Sequence, residues 1–448
     1  MMHDICTAPV SLRDTAILDE WNAMIRAFLA HGTAAPTHLG AVLSGAPDFA
    51  MGHAAKGLFS LMMGRRELNA VAREAGQAAV AALASSGGNT RERLWVRALG
   101  EWLEGRPSGA IAAMERILLD HPTDTLSAKV SHAIRFILGD GVGMRASIEN
   151  VLDAHKGHEL EGYVLGCHAF TLEETGAYDA AEATGLRALH LAGDDAWGLH
   201  AVAHVYDMTA RPDRGIALIE NNCSAWDHCN NFRYHVWWHK ALLHLDRGET
   251  DVVMAIYDDY VRSDKTDDYR DMANATSLLM RLELEGVHVG HRWDELADFA
   301  QNRTDDGCLV FADLHYMLAL AGAGRHDAQS ALTSRFAMDA TRSGELPQRV
   351  ANPGTAALAG LNAFAEGRYD QAFQHLATAR PTLQTIGGSH AQRDVFERMT
   401  IDAGLRAGLA DATEALIEDR IAQRAGAIDR FAATRLASLR DARRIPAQ

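Results

Sequence analysis

The chain has 448 residues, with 43 Lys+Arg against 59 Asp+Glu and a formal charge of −16 at pH 7. Hydrophobic residues make up 48% and charged residues 23%, a globular balance that excludes a wholly disordered chain. An acidic body of this kind repels phosphate backbones and anionic bilayers, so neither nucleic acid nor membrane is expected as a partner.

The five cysteines, at 6, 167, 223, 229 and 308, form a sparse, odd set that fits a reducing, cytoplasmic setting better than a disulfide framework. Cys223 and Cys229 are too far apart for a CxxC motif and read as small buried apolar residues. The opening MMHDICTAPVSLRDT has neither the basic start nor the apolar stretch of a secretory signal. No run reaches the roughly 18–20 apolar residues of a membrane span.

In chain order, residues 1–45 are expected to form an N-terminal helical cap, 46–410 a series of repeats, and 411–448 a charged, solvating C-terminal helical cap, all within one domain, 1–448. Apolar residues recur at i, i+3 and i+4, and only ten prolines interrupt them, so the elements are helices. Turn residues then recur at Gly64, Gly105, Gly139, Gly176, Ala210, Gly248, Gly286, Gly324, Gly367 and Gly408. Ala210 joins the series because ARPDRGIA (210–217) aligns without a gap to GRPSGAIA (105–112). Spacings of 34 to 43 residues predict an all-α, tetratricopeptide-like α-solenoid of about ten helical hairpins forming a curved superhelix. The tetratricopeptide pattern places a small residue in helix A, an aromatic or proline in the turn and an alanine in helix B. Ala98, Pro107 and Ala110 fit it, as do Ala169, Tyr178 and Ala181, and Gly360, Tyr369 and Ala372. The extra length per repeat is assigned to loops at 85–89, 304–307, 341–352 and 386–389.

Helix A lines the inner surface in this architecture. That register gathers Glu173 and Glu174, then Trp197, His200, His204 and Asp207, then His235, Trp238 and His239, then Asp313 and His315 into one central groove, outside the core. His200/His204 and His235/His239 are i, i+4 pairs, each with both rings on one helix face. With Asp207 they make a possible His-His-carboxylate set for a divalent metal, with His200, His204, His235 and His239 as candidate ligands. The residues after His200 and His235 are Ala201 and Val236, so HExxH is missing and a standard metalloprotease is excluded. Three readings stay open: helix-interior histidines with satisfied rings, a metal site, and a metal-free acid/base pocket. In HAQRDVFER (390–398), Arg393 is placed to clamp a carboxylate or phosphate and Asp394 to cap the helix, with an Arg–Asp ion pair as the competing reading. No nucleotide or flavin motif and no GxSxG elbow is present.

The segments AFTLEETGAYDAAE (169–182), WGLHAVAHVYDM (197–208), HVWWHKALLHLDRGE (235–249), DLHYMLALAGAGR (313–325) and SHAQRDVFE (389–397) resemble the tetratricopeptide repeat protein 38 family. The resemblance spans most of the chain. It implies a soluble tetratricopeptide-like solenoid and places the motif residues at His200, His204, His235, His239, Asp313, His315, Arg393 and Asp394; it supplies no reaction. Two function classes follow. In the first, the groove binds a small molecule and turns it over by acid/base or metal-assisted chemistry of a hydrolase or lyase. His200, His204, Asp207, His235 and His239 are then catalytic, and Glu173, Glu174, Trp197, Trp238, Asp313, His315, Arg393 and Asp394 bind the ligand. In the second, a non-catalytic scaffold grips a peptide in the groove. A homodimer is compatible with either.

Overall fold

The computed structural model describes residues 2–444, so the last four positions of the expected C-terminal cap, 445–448, lie outside the described residues. The fold is all-α, a tetratricopeptide-like α-solenoid of helical hairpins. The exception is one short antiparallel ribbon in which Met2–His3 pairs with Pro9–Val10. Among the described residues, no helix is long and apolar enough to cross a membrane.

All ten predicted turn residues separate two helices, and all ten have positive φ, between 51° and 80°. All but the Gly64 turn close in one way. At Gly176 the N–H donates to Glu173 O at 2.9 Å and the next N–H, of Ala177, reaches back to Leu172 O at 2.8 Å. This Schellman pairing satisfies carbonyls that a helix end would otherwise strand. Ala210 makes the same pair of bonds, Ala210 N to Asp207 O at 3.1 Å and Arg211 N to Tyr206 O at 2.8 Å, at φ 51°. It does so against the steric penalty of about 1–2 kcal/mol that a Cβ brings to left-handed backbone.

The small residues of the pattern lie where helices meet. Ala98, Ala110, Ala169, Ala181 and Ala372 are all 0% exposed. A Cβ on Gly360 would sit 2.6 Å from Leu376 Cγ, so a larger residue there would push the two helices of that hairpin apart. Successive A helices are also linked by polar bonds: Trp95 Nε1 donates to Ser127 Oγ at 3.0 Å, and Trp238 Nε1 to Ser277 Oγ at 3.1 Å.

Backbone packing divides the chain into two compact units, one of residues Met1–Val202 with Asn222–Arg233, the other of Ala203–Asn221 with Tyr234–Gln448. The first unit packs Trp21, Phe49, Leu58, Trp95 and Leu99 into its largest core. Beside that core, Arg91 bridges two buried carboxylates, with Nη1 2.7 Å from Asp4 and Nε 2.6 Å from Asp124. The 222–233 segment joins this unit through a bridge between Gly32 and Cys229 and a bond from Asn230 N to His31 O at 2.8 Å. The second unit is built on a continuous core through Trp238, Leu278, Tyr316, Phe336, Leu361 and Phe396.

Three expectations change. The segment 341–352 is not a plain loop, because it contains the short helix Glu345–Arg349. Cys223 is exposed, whereas Cys229 is buried. The C-terminal helices Ala410–Gln423 and Arg430–Arg444 do not simply solvate their charges. Arg420, Arg424 and Arg435 are buried, paired with Asp394 and Asp429, with Asp207, and with Asp402 respectively. Carboxylates on neighbouring helices hold the pair in place.

Candidate functional site

The division between units falls inside the Ala196–Met208 helix, so His200 belongs to the first unit and His204 to the second. In the first unit His200 is buried, its ring packed against Phe170 at 5.5 Å, Trp197 at 4.9 Å and Phe232 at 5.3 Å. Trp197 carries the Lys129 ammonium over its face at 4.3 Å. Glu173 is buried on the Glu161–Glu174 helix, and Glu174 ends that helix partly exposed.

The second unit brings three of the expected residues together. His204 comes from the Ala196–Met208 helix, and His235 and His239 from the next A helix, Phe232–Asp246. Each of the three offers a ring nitrogen within 4.8 Å of the others. The Nε2 atoms of His235 and His239 are 3.1 Å apart, and the His204 and His239 ring centroids 4.4 Å apart. The i, i+4 spacing makes the first contact possible, because residues one turn apart project from the same helix face.

The cluster is walled by Trp238, which stacks on His235 at 5.1 Å and meets His239 edge-on at 4.8 Å. The indole is fixed from behind by its bond to Ser277 and by Arg281, whose guanidinium lies 5.5 Å over the ring. His235 Nδ1 lies 2.8 Å from Asn274 Oδ1, so the amide oxygen accepts the Nδ1–H and leaves Nε2 as a lone pair facing His239. Burial holds both rings neutral. It brings His235 down to about 3, with the Asn274 bond opposing and His204 adding to the fall. It takes His239 well below the usual histidine range, helped by His204, His235 and Arg281.

Neutral rings with converging nitrogens are what a metal ligand set requires, the His239 Nε2–H that now donates to His235 Nε2 being given up on binding. Two imidazole nitrogens bound tetrahedrally at about 2.0–2.1 Å would lie about 3.3–3.4 Å apart, close to the separation found here. The Asn274 carbonyl supplies the outer hydrogen bond that orients a ligating histidine. Sequence reasoning did not single out Asn274, Ser277 and Arg281. Their signal was present: spaced i, i+3 and i+7, they put polar groups on one face of the largely apolar MANATSLLMRL run.

Asp207, Asp313, His315 and Asp394, also in the second unit, bond to other partners. His204 and His239 are 0% and 1% exposed, so the expectation of residues outside the core does not hold. Asp207 sends its carboxylate to Arg424 Nη2 at 3.2 Å, and among the described residues it belongs to no group with metal-ligand spacing. Asp313 pairs with Arg335 at 2.7 Å, and burial still pushes its carboxyl up to about 7. His315 donates from Nδ1 to Phe311 O at 2.8 Å, and burial brings it down to about 4. The helix carrying Arg393 and Asp394 is capped by Ser389, with Gln392 completing the capping box. Asp394 is therefore not the cap. It accepts from Arg398 at 2.6 Å and Arg420 at 2.7 Å, while Arg393 donates to Gly388 O.

No family model matches the chain. Solved structures similar to it include a human IFIT1 dimer with PPP-AAAA, at 12% identity over 97% of this chain and 96% of that one, with a TM-score of 0.43. Naa15/Naa10 bound to HypK-THB is similar at 13% identity over 95% of this chain and 66% of that chain, with a TM-score of 0.26. The TPR domain of P58(IPK) is similar at 12% identity over 88% of this chain and 99% of that chain, with a TM-score of 0.22.

Proposed function

We propose that this protein is a tetratricopeptide-like binding protein that holds one divalent transition-metal ion on His204, His235 and His239. The observation that carries the reading is the convergence of three ring nitrogens within 4.8 Å, two of them on buried, neutral rings and one of those oriented by Asn274. Imidazole ligands suit zinc, iron, copper and nickel better than magnesium or calcium.

When bound, such an ion supplies Lewis-acid chemistry, and hydrolysis or elimination of a small polar molecule is the reaction class we assign. The chain's own contribution is to hold the His235 and His239 rings neutral, fix the His235 tautomer through Asn274 and close one side with Trp238. The motifs at His235–Trp238–His239 and Arg393–Asp394 also lead us to place the chain with the tetratricopeptide repeat protein 38 family. The sparse cysteines favour a cytoplasmic setting.

Cobalt(II) tests the reading directly, because a tetrahedral histidine site gives visible d–d absorption that the octahedral aqueous ion gives only weakly. Titration of chelator-stripped protein is expected to produce those bands and saturate at one equivalent. Spectra indistinguishable from cobalt in buffer would remove the reading and leave the scaffold alternative.

A further inference from the structure

The first unit holds a buried lysine whose hydrogen-bond partner is a thiol. Lys129, on the helix Thr125–Leu138, is 7% exposed, and Cys167, on the helix Glu161–Glu174, is 3% exposed. The ammonium donates to Cys167 Sγ at 3.7 Å and lies 4.3 Å over the face of Trp197. Lysine is almost never buried this far without a carboxylate beside it, because taking the charge out of water is costly. Here a thiol and an indole face stand in that place. A leucine or methionine would fill the same space without the desolvation cost.

One acid acts on both groups. Asp195 is buried and influences Lys129 and Cys167 electrostatically, and its carboxylate accepts from Gly198 N at 3.1 Å. Burial pushes its carboxyl up to about 7, with Lys129 opposing, so it exchanges protons near neutral pH. It reaches this position because the residue before Cys167 is glycine: a Cβ on Gly166 would lie 1.9 Å from Asp195 Oδ2. A nucleophile, an oxidisable sulfur and a proton acceptor are thus held together by three successive A helices and the cap of the third.

We propose that Lys129 and Cys167 are a peroxide-dependent modification site, at which a reversible sulfenamide bond between Nζ and Sγ ties their two helices together. The chemistry balances with one hydrogen peroxide. Its O–O bond breaks as an S–O bond forms on Cys167, giving a sulfenic acid and one water, which carries off the thiol proton. Lys129 gives one proton to Asp195, and the free amine attacks the sulfur. The N–S bond forms, the S–O bond breaks, and the hydroxide leaves as a second water with an amine proton. Sulfur is oxidised by two electrons and peroxide is reduced by two.

Geometry favours this route over the others open to a sulfenic acid. The 3.7 Å separation is just beyond the near-attack range of about 3–3.5 Å, and the flexible lysine stem can close it. Cys167 is in no disulfide, and its burial shuts out glutathione and other bulky thiols while admitting a water-sized peroxide. Burial also pushes the thiol up, which slows the first step, and Lys129 counteracts that shift. The site shares no residue with the histidine cluster.

The test uses the full chain, stripped with chelator so that no metal consumes the oxidant, and treated with hydrogen peroxide. Peptide mapping by mass spectrometry is expected to find the segments around Lys129 and Cys167 joined, lighter by two hydrogens than the two reduced peptides together. Trypsin should no longer cut after Lys129, and dithiothreitol should restore both the cut and the thiol. Lys129→Arg keeps the charge over Trp197 but offers no amine, so the link is expected to vanish and Cys167 to pass on to sulfinic acid. Wild-type Cys167 that becomes sulfinic acid with no link overturns the proposal. So does Cys167 that stays a thiol once the exposed Cys223 is fully oxidised. A loss of two hydrogens that persists in folded Lys129→Arg protein also overturns it, because the partner is then a backbone nitrogen. Should Lys129→Arg not fold, fragmentation of the joined wild-type peptide still names both residues and decides the matter.

Discussion

His235 and Asn274 lie on successive A helices, and the bond between His235 Nδ1 and Asn274 Oδ1, at 2.8 Å, decides which nitrogen of the ring faces His239. Outer-shell partners of this kind tune metal affinity by about 10–100-fold. Asn274→Ala is accordingly expected to weaken zinc binding by about that factor with the stoichiometry unchanged, as read by competition with a chromophoric chelator. An unchanged affinity would mean that Asn274 does not set the tautomer.

The same ring gives a pH dependence. In metal-free protein the folded-state pKa of His235 is about 3, against about 6.5 for an unperturbed histidine. The folded pKa is the lower one, so the stability it contributes is complete above pH 6.5 and is lost as pH falls toward 3, at roughly 1.4 kcal/mol per pH unit. Asp195 and Asp313, pushed up to about 7 by burial, act in the opposite sense over this range. The prediction therefore concerns a difference. Urea denaturation at pH 6 and pH 5 should show wild type losing about 1.2 kcal/mol more than His235→Gln across that interval. Equal losses would place the ring in a more solvated setting.

In the first unit, Arg91 holds Asp4 and Asp124 with all three side chains 0% exposed. Removing one partner from a buried ionic group leaves uncompensated charge and costs about 3–5 kcal/mol. Arg91→Met should destabilise the protein by that amount in urea denaturation, and adding Asp4→Asn and Asp124→Asn should recover most of it. Failure of the triple variant to recover would mean that the arginine acts through packing and not through charge.

Ala210 occupies a left-handed position that glycine fills at the other nine turns. Ala210→Gly removes the Cβ clash at the expense of greater chain entropy in the unfolded state, and the balance favours glycine by about 0.5 kcal/mol. A small rise in Tm is expected, and a fall would show that the methyl group contributes packing that outweighs its strain.

The turn register was legible because each Schellman turn demands one residue of unusual backbone, and glycine marks it every 34 to 43 residues. Ala210 could be placed without glycine only because ARPDRGIA repeats GRPSGAIA. The pairing of His235 with His239 was legible for a similar reason, since helical spacing alone puts them on one face. The partner of Asp207 was not. Its carboxylate goes to Arg424, 217 residues away, and nothing local distinguishes it from an acid that serves the histidines. The same limit applies to the C-terminal cap. Arg420 and Arg424 read as solvent-facing charges until packing brings Asp394, Asp429 and Asp207 against them.

The histidine cluster is the centre of the account, and its metal content is the measurement that tests it most directly. Tag-free protein is stripped with chelator, incubated with excess zinc, desalted and assayed by elemental mass spectrometry against protein concentration. Wild type is expected to retain close to one zinc per chain. His235→Gln, the least buried of the three positions, is expected to retain little while staying folded. Folded wild-type protein that retains no zinc, or His235→Gln protein that retains as much as wild type, would contradict the assignment.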